Sequence, residues 1–417
     1  MNLKEMGSLL DIQVPEIPEE DVLDMLERNR DTYDKKGDCI KGPIKHHILN
    51  AHIILENDSR MMNRFTYNEF NDQIYIEDQR LKESDITRTQ LWIQRTYGVR
   101  IPKQAVSDLI ISQSEENSFH PLQEYLLGLE WDGELRLERI LQKYWGVSDT
   151  PLLRAIGKCW AISCVARALS PGAKVDTVLI LCGQQGAYKS SSLRALAGGA
   201  WFSDSHLDIS RKEAYELIHS SGVWLWEMAE NYALNKSDVN NAKMFLSSHE
   251  DKYRPSYGRF PVTKQRSVVF VSTTNESSFL TDSTGNRRYW PVNIGHIDLE
   301  AITEDRNQLW AEAVHYFTHG EQWWLDPEHE LDLYAYQEEF VLEDPWISAV
   351  DWCASVYVEG FQNDDVFDRL QLPASRQNVK ENKRVNQICI SLGLIKKRLT
   401  GTLERKGISR PRVWICR

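Results

Sequence analysis

Residues 175–194, VDTVLILCGQQGAYKSSSLR, constrain this chain most. They pass from a β-branched apolar run through a glycine-containing loop into a helix-forming segment that opens on Lys189 and Ser190. A strand, a tight loop and a helix N-terminus in that order aim backbone N–H groups at one point, so the spacing predicts a cradle for a nucleotide triphosphate. The expected cradle comprises Gly183, Gln184, Gln185, Gly186, Ala187, Tyr188, Lys189, Ser190 and Ser191. Lys189 is placed to reach the β- and γ-phosphates of ATP, and the Ser190 hydroxyl to ligate Mg²⁺. The pattern G-x-x-x-x-G-K-[ST] is met at Gly183, Lys189 and Ser190, but Tyr188 stands where the second glycine belongs. If that position requires a positive φ, a tyrosine there costs about 1 kcal/mol, which weakens the cradle without removing it.

A chain of 417 residues, 41% of them hydrophobic, has material for sizeable cores in about two to three domains. Its net charge of −12 argues against a protein that coats nucleic acid throughout. The charge is uneven, however. Between residues 376 and 417 twelve Lys and Arg face only Glu381 and Glu404, which makes the tail a basic module on an acidic body. The seven cysteines are scattered, with no C-x-x-C pair, and read as reduced thiols of a cytoplasmic protein without structural zinc. There is no leader-like segment and no apolar run of about 18 residues, so a soluble protein without a membrane partner is expected.

Four regions follow from pattern. Residues 1–43 read as an acidic tether with at most one short helix, and 44–141 as a mainly helical accessory domain. Residues 142–343 read as an α/β nucleotide-binding domain. Its expected strands lie at 222–226, 267–272 and 288–292, beside the one at the phosphate loop, and helices at 211–219, 237–246 and 309–317 alternate with them. That alternation predicts a parallel sheet with ligands at the carboxyl ends of its strands. Residues 344–417 show three short helical stretches and a terminal strand, the outline of a basic winged helix-turn-helix.

A phosphate loop alone is a weak signal, and further candidate residues stand at strand ends. The run WLWEMAE ends a strand on Glu227, with Glu230 three residues on; one such carboxylate can hold a metal while the other polarises water. Two acids opening a helix would look the same. SVVFVS delivers Asn275 at its tip, as a sensor of the γ-phosphate or as a common turn residue. Arg287 and Arg288 precede the last strand. Either they are a surface pair, or one of them is an arginine finger entering a neighbouring subunit's site. In residues 251–266, Lys252, Arg254, Arg259, Lys264 and Arg266 alternate with Tyr253, Tyr257 and Phe260, a mixture suited to single-stranded DNA on a hairpin. A solvated hairpin, or cations serving nucleotide between subunits, would read alike. At the tail, Lys396, Lys397, Arg398, Arg410 and Arg412 are the expected duplex contacts, with Lys383, Arg384, Arg405 and Lys406 nearby. A basic terminus without a specific ligand is the alternative.

The series GQQGAYKSS, WLWEMAE, YRPSYGR, VSTTN, LTDSTGNRRYWPV and QLWAEAVHYFTHGEQWWL resembles the virulence-associated protein E (VapE) family, as do the upstream FTYNEF, SFHPLQEYL and LEWDGELRL. The resemblance covers roughly residues 44–352. It implies a P-loop ATPase of the kind carried mainly by prophages and mobile islands, similar to superfamily 3 helicases, which are AAA+-like motors that work as rings and are often joined to a primase. It further implies Lys189 and Ser190 on phosphate and Mg²⁺, Glu227 and Glu230 as the acidic motif, Asn275 as sensor, and Arg287 or Arg288 as finger. Tyr188 departs from the pattern, and no primase domain is recognisable ahead of residue 44, so a separate primase is expected as a partner. The expectation is an ATP-dependent DNA helicase or replication initiator of a phage or mobile element, working as a homo-oligomeric ring. A nucleotide-switched loader, regulator or defence factor stands beside it, and a purely structural DNA-binding adaptor is the third reading.

Overall fold

Short apolar runs bounded by turns become a five-stranded, wholly parallel sheet. In the computed structural model, residues 18–228, 239–255, 260–280, 286–342, 344–400, 402–403, 406, 408–409 and 411–415 are described. The sheet strands are β1 (Val178–Cys182), β2 (Phe202–Ser203), β3 (Leu225–Met228), β4 (Val269–Thr274) and β5 (Tyr289–Asn293). Their spatial order is β5-β1-β4-β3-β2, with every pairing parallel. β3, β4 and β5 begin slightly later than the apolar runs that announced them, an ordinary displacement for element ends.

Side chains alternate across the sheet, and both faces are covered. Leu179, Leu181, Leu225, Val269 and Val271 join the core beneath the helices Pro151–Leu169, Lys189–Ala197 and Leu299–Thr318. Val178, Ile180 and Met228 face Ala242, Phe245 and Leu246 of the helix Val239–Ser247. Burial on two faces is why these strands read as continuous apolar runs rather than alternating ones. The connection leaving β1 leads to the far edge at β2, whereas β5 lands on the opposite side of β1. The carboxyl end of β1 is therefore a topological switch point, where an open parallel sheet leaves a crevice for a ligand.

The accessory segment is built from the helices Ile48–Asn57, Glu83–Tyr97, Lys103–Glu116 and Pro121–Leu127. It also contains a four-stranded sheet in the spatial order Gln79–Arg80, Gln73–Ile76, Phe65–Asn68, Ser118–Phe119, which the sequence reading did not include. Strands of two to four residues are too short to carry a period-2 signal. The expected tether needs correction as well. Residues 1–17 lie outside the described residues; beyond them Val22 and Leu26 are buried in the accessory core with Ile54, Phe65 and Ile93, so the helix Glu20–Met25 is packed against that core.

The chain divides into two compact units, Met1–Glu276 with Gly285–Tyr336, and Ser277–Thr284 with Gln337–Arg417. The second holds helices Ile347–Val356, Asn363–Arg369 and Val379–Ser391, followed by an antiparallel ribbon of Ile395–Arg398 against Arg412–Ile415. Phe361, between the first two helices, bridges Trp414 on the ribbon, and Val350, Phe367, Val385 and Ile388 complete a small core around them. Among the described residues no helix is long and apolar enough to cross a membrane. No group of three or more metal-ligating side chains is found among them either.

Candidate functional site

The crevice at the carboxyl end of β1 is where the loop residues gather. Gly183 N–H donates to Thr274 O at 3.1 Å, which pins the start of the loop to the end of β4. A β-carbon on Gly183 would lie 2.5 Å from Ile294 Cγ1, so glycine is required there by space. Gly186 has φ 81°, and Tyr188 has φ 60° and ψ 25°. The position expected to hold a glycine does adopt the left-handed conformation, and tyrosine bears its cost of about 1 kcal/mol. The Tyr188 ring stays 64% exposed, and its side chain makes no capping hydrogen bond to the helix that begins at Lys189. The first-turn amides therefore have no acceptor from their cap, the usual condition for receiving an anion.

Lys189 is buried, and its ammonium donates to Gly183 O at 2.8 Å, Gln184 O at 2.9 Å and Asn275 Oδ1 at 2.8 Å. The loop thus folds around its own cation. Ser190 Oγ donates to Glu227 Oε1 at 2.8 Å, and Thr273 Oγ1 donates to the same oxygen at 2.5 Å. Glu227 is 6% exposed on β3, and its second oxygen, Oε2, is buried without a hydrogen-bond partner among the described residues. An orphaned carboxylate oxygen is costly to bury, and here it lies on the same carboxylate that receives the Ser190 hydroxyl. Burial pushes the neighbouring Cys182 thiol up to about 12, so a protonated sulfur sits beside the loop and thiolate chemistry is not offered there.

The structure thus brings together Lys189, Ser190, Glu227 and Asn275, four of the residues singled out in the sequence, and sets Thr273 beside them. Sequence reading passed over Thr273 because its role depends on the pairing of β4 with β3, which sets Thr273 close enough to reach the Glu227 carboxylate. Glu230, Arg259 and Arg410 lie outside the described residues.

The two arginines are elsewhere. Arg287 and Arg288 precede β5, whose Tyr289 pairs with Val178 at the start of β1. They occupy the amino edge of the sheet, while the loop occupies the carboxyl edge, roughly 16 Å away along a five-residue strand. Both approach Asp176, Arg288 at 3.6 Å and Arg287 at 3.9 Å, and Arg288 Nε also donates to Ser247 Oγ at 3.0 Å. Arg287 is the more exposed, 45% against 18%, and lines a cleft of about 370 Å³ with Trp290, Trp323 and Trp324. Neither completes the loop site of its own chain.

The hairpin forms, with Glu250–Tyr253 pairing antiparallel to Val262–Gln265, and its tip lies outside the described residues. Two of its assigned DNA contacts are corrected. Arg266 is fully buried; its guanidinium grips Asp251 at 2.6 and 2.7 Å and lies 4.3 Å from the centre of the Phe245 ring. Lys264 is closed in an ion pair with Asp72 of the accessory segment. Lys252, Arg254 and Phe260 are exposed. In the C-terminal unit Lys397, Arg398 and Arg412 are exposed, whereas the Lys396 ammonium stands over the Trp414 ring and bonds Asn386. Arg384 is held by Asp344 and stacked on Trp346.

Among solved structures the chain is similar to the apo structure of the NrS-1 C-terminal region, at a TM-score of 0.44 and 10% identity, over 84% of this chain and 94% of that one. An A-form apo structure of the same region gives 0.44 and 10%, over 84% and 95%. No curated protein matches the chain. The family model described as the virulence-associated protein E-like domain matches residues 126–341, a span that begins within the accessory segment and takes in the whole parallel sheet, the glycine-containing loop after β1 and the arginine pair. With over half its length matched, the chain belongs to the virulence-associated protein E-like family.

Proposed function

We propose that the protein is a Mg²⁺- and ATP-dependent DNA motor, the helicase or replication initiator of a phage or mobile element, assembled as a ring with ATP at subunit interfaces. The observation that carries this reading is the meeting of Lys189, Ser190, Glu227, Thr273 and Asn275 at one sheet end, with Glu227 Oε2 left unpartnered. Family membership supports it.

The chain's own groups divide the work. The loop amides and the helix N-terminus receive the phosphates, and the Lys189 ammonium exchanges its carbonyl partners for β- and γ-phosphate oxygens. Asn275, which meets the Lys189 ammonium at the end of β4, would turn its amide toward the γ-phosphate or the attacking water. Ser190 Oγ and Glu227 would hold Mg²⁺, which when bound neutralises charge on the phosphates. Thr273 fixes the Glu227 carboxylate in place. Arg287, exposed at the opposite edge, suits a role in another subunit's site rather than its own. DNA contact then falls to Lys252, Arg254 and Phe260 on the hairpin, and to the C-terminal unit, whose order of three helices, ribbon and Phe361–Trp414 bridge fits a winged helix.

A second reading, a nucleotide switch that binds ATP with little turnover, is favoured by the strained, exposed Tyr188 at the cradle. ATP turnover measured with and without single-stranded DNA, beside strand displacement on a forked duplex, separates the two. DNA-stimulated turnover with displacement is expected of the motor. Tight ATP binding with negligible turnover would establish the switch instead.

A further inference from the structure

The helix Val379–Ser391 is amphipathic in an unusual sense. Val385, Ile388 and Cys389 are buried against the unit's core, and the opposite stripe runs Lys380, Lys383, Gln387, Ile390 and Ser391, all exposed. The spacing of three and four residues puts these side chains on one face. The stripe holds two cations, one amide, one hydroxyl and one branched apolar group, and no acid. Glu381, the acid of this helix, is turned toward Arg384 at 3.9 Å.

The remaining cations of the unit sort by the same test of engagement. Arg384 is closed on Asp344, Lys406 on Asp365 at 3.0 Å, and Lys396 on Trp414 and Asn386. The Lys396–Asn386 bond, 3.2 Å long, also draws the ribbon beside the middle of the helix. Lys397 and Arg412 on that ribbon are exposed, as is Arg376 just before the helix. Positive groups therefore flank a helix face that combines amide and apolar chemistry.

We propose that this stripe enters the major groove of duplex DNA and reads sequence there, with Gln387 and Lys383 on base edges and Lys397, Arg412 and Arg376 on the phosphates. The inference rests on reading the C-terminal unit as a DNA-binding module, and it is independent of nucleotide. A major groove admits one helix, and a glutamine amide satisfies the paired donor and acceptor of adenine there, while a lysine ammonium meets the acceptors of guanine. Ile390 supplies the apolar contact that a thymine methyl accepts. Cations outside the groove fix register without reading sequence.

The test uses the full chain without nucleotide. A pool of duplex DNA with a randomised centre is taken through rounds of selection, and the winners are titrated by fluorescence anisotropy against scrambled duplex. A short consensus is expected. Gln387→Ala should lose roughly tenfold to a hundredfold discrimination at one base pair. Its binding to scrambled duplex should fall far less than its binding to the selected site, and an unchanged thermal unfolding midpoint reports that the unit is folded. Lys397→Ala should weaken selected and scrambled duplex alike and lower the salt slope by about 1. If the winners stay random, or Gln387→Ala discriminates as the parent does, the base-reading helix is refuted while a DNA-binding unit survives. If no duplex is bound at all, both fall together.

Discussion

Glu227 and Asp251 are both carboxylates buried on strands of the same unit, 6% and 3% exposed, and they end differently. Asp251 spends both oxygens: Oδ1 accepts from Arg266 Nη2 at 2.6 Å, and Oδ2 from Arg266 Nε at 2.7 Å with His219 Nε2 3.1 Å away. Glu227 puts both of its hydrogen bonds on Oε1 and leaves Oε2 empty-handed. One cluster is electrically closed, and the other retains an acceptor that no described residue occupies. The saturated pair ties Asp251 to Arg266 inside the fold, and the proposed function assigns the open oxygen of Glu227 to a bound cation.

The comparison breaks most sharply at Lys189. Lys189→Ala is expected to reduce ATP turnover to background while thermal unfolding stays cooperative, and wild-type turnover in that variant would sink the assignment of the open cluster. Glu227→Gln keeps the shape and removes the charge, so a loss of about a hundredfold or more in turnover is expected with ATP binding retained.

The closed cluster should answer in stability instead. Arg266→Met strands Asp251 as a buried, half-paired anion, for a cost of about 3–5 kcal/mol in urea unfolding. A loss under 1 kcal/mol would mean that the pair is ornamental. The same cluster predicts a pH dependence. Burial alone would raise the Asp251 carboxyl, but hydrogen bonds from His219 and Arg266 and their charge hold it below the ordinary carboxylate value. A depressed folded value gives stability that is fully present above the unfolded pKa and lost as pH falls through the folded one. The urea midpoint should therefore fall in acid, with a shallower slope in Asp251→Asn.

The smallest effect is expected at Tyr188. Tyr188→Gly relieves about 1 kcal/mol of left-handed strain, partly offset by the greater freedom of glycine in the unfolded chain. ATP affinity read by titration should change less than tenfold. A larger drop would reveal that the exposed ring itself contacts nucleotide.

Legibility in the sequence followed how local each signal was. The cradle from Gly183 to Ser191 is one contiguous strand, loop and helix, so its motif could be read directly, down to the positive φ at Tyr188. Glu227 and Asn275 stood out in the sequence because each follows an apolar run. Thr273 escaped, since its role exists only once β4 lies beside β3. Arg266 was misread for a related reason. In sequence it is one more cation among rings, and only burial against Phe245 and Asp251 removes it from solvent. Lys264 was misread because its partner, Asp72, lies 192 residues away. The accessory sheet stayed hidden behind strands too brief to show a period, and Val22 and Leu26 behind the acids around them.

The register that sets Tyr289 opposite Val178 gives this molecule a front and a back. A neighbour presenting Arg287 to the crevice around Lys189 in a head-to-tail approach makes a heterologous contact, which leaves one unsatisfied end on every added copy. Polarity of that sort is resolved by closing a circle or by growing a fibre.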